Sequence, residues 1–405
     1  MSRIAITGMG LVDTLGNNPT ECWENYLNKP NEPEAVRDNP HPGVEGLKVF
    51  YADGELDKPD FIRGPLYAGL QKSNRLAVHS VHQALKDMPK SSNVGVVYSS
   101  GGAEEETRMH YAGWLFGMKK RLRPKQQLQQ LNSYVSSLIS LVWDFNGASI
   151  AQQAACSTTL YSLDLGIKML ECDDYDYVVV GAAESCNHTW VLSFFRSLGA
   201  LGTHSAPFDK GRDGFIMGEA SGTMVLEKEE HAIARGAKIY GYIHGVGLSN
   251  DAAAQAPTAP DPEGKGIKLA INRAMKKGDS IDPYKVGSHW GSQIAFVGAH
   301  ATSTPAGDGA EYNAIQEMFP GVPVTSFKSK IGHGLTSASV SEMIYMIQAL
   351  AHNTVPPNHN IKDTEYTHVP TSPSPSTKSF ALKTSLGFGG KNAAGLIEKG
   401  PDLWS

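Results

Sequence analysis

Apolar residues follow two different periods that alternate along the chain. Short continuous apolar runs at Val94–Tyr98, Asp176–Ala183 and Ile294–His300 predict buried strands. Apolar residues at helical spacing predict amphipathic helices at Gln71–Met88 and Thr336–His352. The alternation of strands and helices predicts an α/β protein with layered, largely parallel sheets.

One switch from strand to helix falls at Cys156. Ala148–Ala155 predicts a buried strand, and apolar residues recur at helical spacing over Leu160–Leu170. Unpaired amides and the macrodipole at a helix N-terminus favour an anion, so we expect this thiol to ionise more readily than a free cysteine. Such a turn presents a nucleophile beside a backbone N–H that can hold an oxyanion. The alternative is a buried structural cysteine.

Two histidines occupy similar settings much further along the chain. His300 ends an apolar strand, and His333 precedes the helix predicted at Thr336–His352. Both lie beside small residues. Histidines that serve a cysteine nucleophile are commonly distant in sequence and adjacent in the fold. A structural or merely exposed role is the alternative for each histidine alone.

The remaining segments suggest a chain of two similar halves. Asn28–Lys58 predicts a long surface excursion, Leu201–Gly222 a structured loop, and Phe380–Ile397 two strands joined by the turn GFGG. Strands and helices alternate on both sides of about residue 235. We therefore predict an N-terminal half at 1–235 with the cysteine and a C-terminal half at 236–405 with both histidines.

The charge of the chain limits its partners. A formal net charge of −5 over 405 residues gives no positive field for nucleic acid. The local run Met118–Lys125 is basic, however, so it predicts either a solvated face or a docking patch for an acidic partner. The docking residues would be Lys119, Lys120, Arg121 and Arg123.

The cysteines and the N-terminal sequence indicate a cytosolic protein without a metal. The chain has four cysteines and no C-x-x-C pair, which disfavours a metal site and a disulfide framework. The N-terminal sequence MSRIAITGMGLV lacks the apolar region of a signal peptide. No stretch approaches the length of an apolar membrane span.

Several motifs, spread over nearly the whole chain, resemble those of the elongating β-ketoacyl-(acyl carrier protein) synthases, which are thiolase-like condensing enzymes. The matching segments are TGMG at 7–10, AACST at 154–158, PFDKGRDGF at 207–215, HATSTPAGDGAE at 300–311, KSKIGH at 328–333, Glu342, and GFGG with Asn392. The resemblance implies duplicated thiolase-like halves in a layered α-β-α-β-α sandwich.

The same resemblance implies roles for individual residues. Cys156 takes the acyl chain as a thioester, while His300 and His333 assist decarboxylation of a malonyl thioester. Backbone N–H groups of Cys156 and Phe388 hold the oxyanion of acyl transfer. Further implied residues are the buried ion pair Lys328 and Glu342, the gating residue Phe388, and the pantetheine-binding residues Thr302 and Thr304.

The implied partners follow from that chemistry. An acyl carrier protein would bring the phosphopantetheine arm with malonyl and acyl thioesters, so the enzyme needs no metal or redox cofactor. The family is usually dimeric, and we expect either a homodimer or a heterodimer with a ketosynthase-like chain-length factor.

Two departures from the family pattern leave the pathway open. The segment DAAAQAPT at 251–258 lacks the usual histidine, which weakens a transfer of function to Thr258. The segment KQQLQQLN at 125–132, together with Gln152 and Gln153, makes the region before the nucleophile polar for a saturated acyl chain. These features favour a type II polyketide or polyene pathway over ordinary fatty acid synthesis. The alternatives from other classes are a non-catalytic chain-length-factor-like subunit, a thiolase, and a hydrolase, for which no G-x-S-x-G elbow is present.

Overall fold

The computed structural model describes residues 3–36, 44–53, 56, 58–101, 111–117, 127–172, 174–185, 189–251, 260–278 and 286–401. The strands of this part are β1 Ile4–Asp13, β2 Glu34–Ala35, β3 Lys48–Phe50, β4 Val94–Gly101, β5 Ser149–Ile150, β6 Tyr177–Glu184, β7 Met217–Gly218, β8 Ala220–Lys228, β9 Gly241–Asn250, β10 Ile294–Gly298, β11 Val324–Thr325, β12 Thr354–Val355, β13 Ser374–Pro375, β14 Phe380–Gly387 and β15 Lys391–Lys399.

Helices alternate with these strands. They are α1 Pro19–Asn28, α2 Gly64–Tyr67, α3 Lys72–Ala84, α4 Tyr134–Trp143, α5 Thr158–Cys172, α6 Thr189–Ser197, α7 Glu229–Ala234, α8 Lys265–Gly278, α9 Val286–Gln293, α10 Pro305–Met318, α11 Lys328–Ile331 and α12 Ala338–Ala351, with short 3₁₀ turns at Leu128–Gln130 and Leu335–Ser337.

The main sheet consists of two halves with the same strand order. Among the described residues it has ten strands in the order β11-β10-β14-β15-β9-β1-β8-β6-β4-β5. The first half contributes β1, β4, β5, β6 and β8, and the second half contributes β9, β10, β11, β14 and β15. If the strands of each half are numbered one to five along the chain, both halves have the order 3-2-4-5-1 from the outer edge to the centre of the sheet. The pairings also match, because each half has two parallel pairs at its edge followed by two antiparallel pairs. This repeated topology is the duplication implied by the resemblance.

The two halves meet at β1 and β9, which pair antiparallel over three residue pairs, from Ile4 opposite Ile243 to Ile6 opposite Gly241. Helices α5 and α12 contact each other and strands of both halves, so they form the central layer. Helix α3 covers the outer face of the first half, and α8 covers that of the second. The result is an α-β-α-β-α arrangement.

The central layer is apolar because it is covered on both sides. Every residue of α12 is buried, and its side chains join the largest core cluster with Leu160 and Leu163 of α5. Burying a large apolar side chain stabilises a fold by roughly 1.5–3 kcal/mol. The turns that precede α5 and α12 are therefore held in the interior, where the candidate residues lie.

Three expectations from the sequence are wrong in detail. The sheet is mixed, since five of its nine neighbouring pairs are antiparallel, and a buried apolar run does not encode strand direction. The strand expected at Ala148–Ala155 is only β5, a half-buried edge strand. The excursion at Asn28–Lys58 contains β2, β3 and the buried core residues Val44 and Tyr51.

A separate property concerns membranes. Among the described residues, no helix has both the length and the apolar character needed to span a bilayer.

Candidate active site

Cys156 lies in the turn immediately before α5. The preceding residue, Ala155, has a φ of 49°, which is in the left-handed region that residues with a side chain rarely adopt. Thr158 holds this turn, because its Oγ1 accepts from Ala154 N at 2.9 Å and donates to Ala155 O at 2.6 Å. The turn places Cys156, a residue that is 8% exposed, in the interior. The start of a helix just after Cys156 was predicted correctly, whereas the strand before it ends at Ile150, and the strained Ala155 was not foreseen.

His333 reaches the same place from the second half of the chain. Its backbone is fixed by two hydrogen bonds to the first half, since His333 N donates to Ile216 O at 2.8 Å and Gly218 N donates to His333 O at 3.0 Å. The edge of the imidazole meets the Phe215 ring at a centroid distance of 5.1 Å. His333 Nε2 lies 3.1 Å from Cys156 Sγ, within range for proton exchange.

His300 completes the group. It follows β10, and the Glu311 carboxylate accepts from His300 N at 2.8 Å and from Ala301 N at 2.7 Å. The two imidazoles are nearly perpendicular, with ring centroids 5.3 Å apart. Donor atoms of Cys156, His300 and His333 all lie within 4.8 Å of one another. The structure thus brings together three groups that are up to 177 positions apart in sequence.

Burial sets the protonation states of this group. Desolvation lowers the pKa of His300 and of His333 well below the usual value, and the Lys328 ammonium acts in the same direction on both. Both rings are therefore neutral near pH 7. Desolvation also raises the pKa of the Cys156 thiol to about 12, although Lys328 opposes this shift. The expected easy ionisation of the thiol is thus wrong: burial outweighs the helix N-terminus.

A buried cluster of charges lies behind the histidines. Lys328 Nζ is 2.5 Å from Glu342 Oε1, and Lys383 Nζ is 2.6 Å from Glu342 Oε2. All three side chains are about 1% exposed. The predicted Lys328–Glu342 ion pair is present and fully buried, and the exposed alternative does not apply. The second lysine was not predicted.

One cavity leads to the sulfur along the histidines. It has a volume of about 280 Å³ and is lined by Cys156, both histidines, Thr302, Thr304 and Phe388, among others. The two threonine hydroxyls are 3.2 Å apart and half-buried. The hydroxyls of Thr302 and Thr304, which the sequence analysis expects to bind the pantetheine arm, therefore line this open route to the sulfur.

A second cavity of about 330 Å³ meets the first at Cys156 and Phe388. One part of its wall is apolar and one part is polar. The apolar residues include Trp190, Val191, Phe194, Phe195, Leu335 and Phe388, and the polar residues are Ser100, Asn132, Gln153, Glu184 and Thr336. Phe388 lines both cavities, so it lies at their junction. Its ring packs on Phe195 at a centroid distance of 6.0 Å.

The turn that holds Phe388 approaches the nucleophile closely. A Cβ on Gly387 would lie 2.6 Å from Ala154 O and 3.2 Å from Ser157 Oγ. Only glycine fits there without displacing one of the two turns. Close packing against the turn at Cys156 therefore explains the first glycine of the motif at 387–390.

Three supporting residues escaped the sequence reasoning. Glu311 and Glu184 are buried carboxylates at the site, and Lys383 is the additional lysine behind it. The available signal was a charged residue inside an otherwise apolar run: Lys383 interrupts the strand FALKTSLG. The basic residues Lys119, Lys120, Arg121 and Arg123, together with Thr258, lie outside the described residues.

Comparison with known proteins decides the family. Residues 1–232 match the model for the β-ketoacyl synthase N-terminal domain, and residues 240–362 match that for the C-terminal domain. The chain belongs to the β-ketoacyl synthase family. A 3-oxoacyl-[acyl-carrier-protein] synthase 2 of Vibrio harveyi is 30% identical over 425 residues, with 98% of each chain covered.

Solved structures of related chains have the same fold. A crystal structure of a β-ketoacyl synthase from Burkholderia phymatum STM815 has a TM-score of 0.86 at 25% identity, covering 98% of this chain and 100% of that one. A ketosynthase in complex with its chain length factor from Xenorhabdus doucetiae has a chain with a TM-score of 0.82 at 22% identity, covering 98% of each.

Family membership fixes the class of enzyme. This β-ketoacyl synthase is a condensing enzyme of the acyltransferase type, and the chain-length-factor and thiolase alternatives are not favoured. The sequence agrees with this reading, because the expected nucleophile Cys156 is present and no cysteine follows Cys186.

Proposed function

We propose that this synthase joins an acyl group held on Cys156 to a malonyl group held on an acyl carrier protein. The observation that supports this most is the meeting of one thiol and two neutral imidazoles within 4.8 Å, at the inner end of an open cavity. A decarboxylative Claisen condensation needs one nucleophile and two hydrogen-bond donors at a single carbonyl.

In the first half-reaction, Cys156 Sγ attacks the carbonyl carbon of an acyl thioester. The thiol proton moves to His333 Nε2, 3.1 Å away, and then to the departing pantetheine sulfur. The C–S bond to the carrier breaks as the C–S bond to Cys156 forms. Backbone N–H groups of Cys156 and Phe388 hold the oxyanion in this proposal. Because the thiol rests protonated, this transfer of its proton is a necessary step.

In the second half-reaction, a malonyl thioester enters by the same route. Its carboxylate leaves as CO₂, and the electron pair of the broken C–C bond forms an enolate. N–H groups of His300 and His333 donate to the enolate oxygen, with His333 now in the tautomer that has its proton on Nε2, since two neutral imidazoles stabilise negative charge without protonating the carbanion strongly. The enolate carbon then attacks the acyl group on Cys156. The sulfur leaves and takes up a proton, so each turnover consumes one proton from solvent.

The two cavities divide the substrates in this proposal. Thr302 and Thr304 bind the phosphopantetheine arm in the first cavity, and Phe388 separates it from the second. The second cavity receives the acyl chain. Its polar residues, including Gln153, Glu184 and Thr336, favour a chain with oxygen substituents and hence a polyketide or polyene pathway over ordinary fatty acid synthesis.

We extend the proposal to the partners and the boundaries. An acyl carrier protein brings both substrates, and the enzyme uses no metal or redox cofactor of its own in the cytosol. The boundary of the two halves falls at residue 235/236, between α7 and β9. The gap between the two family matches, from 232 to 240, supports this position.

The basic run is proposed as the docking patch for the carrier protein. Replacing Lys119, Lys120, Arg121 and Arg123 by Ala should weaken carrier-protein binding at low salt and reduce the dependence of binding on salt, because charge attraction is screened by ions. Isothermal titration at two salt concentrations measures this. Unchanged affinity at low salt would assign the run to an ordinary solvated face.

The central test of the proposed function uses intact-mass spectrometry. The wild-type protein, incubated with saturated and 3-hydroxyacyl carrier proteins, should gain the mass of one acyl group, with the hydroxylated chain loading faster. Cys156→Ala should abolish this mass gain, while the matched control Cys172→Ala should retain it, since Cys172 is exposed at the end of α5. Acylation of Cys156→Ala would disprove the nucleophile.

The histidines are tested by a separate measurement. His300→Ala and His333→Ala should slow CO₂ release from malonyl carrier protein, yet leave a detectable acyl-enzyme. Decarboxylation at the wild-type rate in both variants would show that these rings do not stabilise the enolate.

A further inference from the structure

One strand of the second half contacts the nucleophile turn and the backbone around His300. Three consecutive residues of β14 are involved, namely Lys383, Thr384 and Ser385. Ser385 Oγ donates to Cys156 O at 3.0 Å. The other two residues act on the segment that contains His300.

Thr384 acts on the amide side of that segment. Its Oγ1 donates to Glu311 Oε1 at 2.6 Å. The same carboxylate accepts the backbone N–H groups of His300 and Ala301 at 2.8 and 2.7 Å. Thr384 therefore orients the acceptor that fixes the peptide units on either side of His300.

Lys383 acts on the carbonyl side. Its Nζ donates to Gly298 O at 3.1 Å, to Ala299 O at 3.3 Å and to Thr384 O at 2.8 Å. Ala299 directly precedes His300, so the two residues of β14 hold the histidine from both directions. The ammonium also pairs with Glu342 Oε2 at 2.6 Å, while Glu342 Oε1 pairs with Lys328.

A fully buried ammonium is costly, so this arrangement needs strong compensation. Lys383 is 1% exposed, and its carbonyl and carboxylate partners satisfy it. Without Lys383, Glu342 would face one cation in place of two. The positive charge of Lys383 would also be missing from the surroundings of both histidines.

We propose that Lys383 is a positioning residue for condensation, which fixes the backbone before His300 and the Glu342 carboxylate and places a second positive charge behind both imidazoles. This inference rests on the proposed function. It extends that function by assigning a role to a residue for which no role was expected from the sequence.

The charge of Lys383 has a predicted consequence for pH dependence. Lys383 lowers the pKa of both histidines, after the larger effects of burial and Lys328. Removing this positive charge should raise both pKa values, so the rings become protonated at a higher pH. The charged or titratable groups that act on the rings are Lys328 and Lys383 on both, and His333 on His300. Cys156 Sγ lies 3.1 Å from His333 Nε2, and Glu311 accepts from the backbone of His300. Glu342 pairs with both lysines, and burial, followed by Glu184 and Glu342, raises the pKa of Cys156.

The test compares two lysines of the same region. Lys383→Met keeps the length of the side chain and removes its charge. The matched control is Lys378→Met, because Lys378 Nζ also donates to backbone carbonyls near β10, of Gly291 and Ile294 at 3.3 and 3.1 Å, at the opposite end of that strand. CO₂ release from malonyl carrier protein is measured for each variant between about pH 5 and 8.

The acid limb is the part of the pH profile where kcat falls as the pH decreases. We expect this limb to lie about one pH unit higher in Lys383→Met than in the wild type. KM for the malonyl carrier protein should stay within about twofold of the wild-type value. Lys378→Met should keep the wild-type limb. Lys383→Arg should return the limb toward the wild-type position, since the charge is restored. An acid limb at the wild-type position in Lys383→Met, or an equal shift in the control, would overturn the proposal.

Two further outcomes are distinguishable. If Lys383→Met does not fold, Lys383→Gln keeps an amide donor for the backbone carbonyls and loses the charge, so it provides the same measurement with the same criterion. If the wild-type protein releases no CO₂, the proposed function fails and this role fails with it. If the wild-type protein releases CO₂ but the acid limb of Lys383→Met or Lys383→Gln is not shifted, only the proposed role of Lys383 is contradicted.

Discussion

At the scale of single residues, burial decides the chemistry of the site more than proximity to a helix does. The thiol of Cys156 sits before α5, where partial positive charge favours a thiolate. Its desolvation nevertheless dominates and raises the pKa to about 12. In the proposed mechanism, His333 Nε2 at 3.1 Å then has to accept the thiol proton, because Cys156 must lose it during the attack.

This leads to a prediction for the alkylation of Cys156. The rate with iodoacetamide should rise about tenfold per pH unit from pH 7 to 10 without levelling off, because only the small thiolate fraction reacts. A free thiol with a pKa of about 8.5 levels off within that range and is the reference. Peptide mass mapping separates Cys156 from the other cysteines. A plateau below about pH 8 would show that the helix N-terminus overcomes burial.

The sequence predicted which three side chains the structure brings together better than it predicted the residues that support them. Cys156, His300 and His333 stand beside small residues and turns, so their chemistry shows in the chain itself. Lys383, Glu311 and Ala155 matter through contacts with residues distant in sequence, or through a backbone angle, and no local pattern encodes either. The ionisation of Cys156 was wrong for the same reason, because burial depends on segments from the whole chain.

At the scale of elements, the site depends on two turns that meet. One turn precedes α5, and the other joins β14 to β15. The sequence predicted both, and it placed β14, β15 and α5 almost correctly because each has a strong apolar period. It could not predict strand direction or the shortness of β5, since these follow from pairing with distant strands.

The contact between the two turns gives a prediction at this scale. Gly387→Ala places a methyl group 2.6 Å from Ala154 O, so the hairpin turn or the nucleophile turn must move. We expect a loss of stability of about 1–3 kcal/mol and slower acylation of Cys156. Urea unfolding and intact mass measure these effects.

A control glycine is available for this substitution. A methyl group on Gly64 would have no heavy atom within 4 Å, and the φ of this residue is outside the left-handed region, so Gly64→Ala should preserve acylation. Unimpaired acylation in Gly387→Ala would show that the close approach of the two turns does not position the sulfur.

At the scale of the whole molecule, one region has the character of an interface. Exposed apolar side chains recur at 111–116 and at 128–141, including Leu131 and Leu141, which are 54% and 72% exposed. The same region leads into β5, the edge strand of the main sheet. Exposed apolar patches and unpaired strand edges are typical of protein interfaces.

We therefore expect a dimer, and a substitution can test it. Leu131→Glu with Leu141→Glu should convert a dimer to monomers in light scattering, because two charges would be buried at the contact. Ile233→Glu is the control, since Ile233 is 62% exposed on the distant helix α7. A wild-type chain that is monomeric alone would favour a different subunit as its partner. A dimer unaffected by both glutamates would place the interface elsewhere.

The junction of the two halves, where β1 pairs with β9, has a consequence for how such enzymes diverge. The sulfur belongs to one half and both imidazoles belong to the other, and the backbone of His333 is held through Ile216 and Gly218 and not through the Cys156 side chain, so loss of the thiol alone leaves these contacts of His333 in place. If the two rings stabilise the enolate as proposed, a descendant that lost only the thiol would still release CO₂. Duplication of this gene thus offers a short mutational route from a condensing subunit to a companion that only breaks the malonyl carbon–carbon bond.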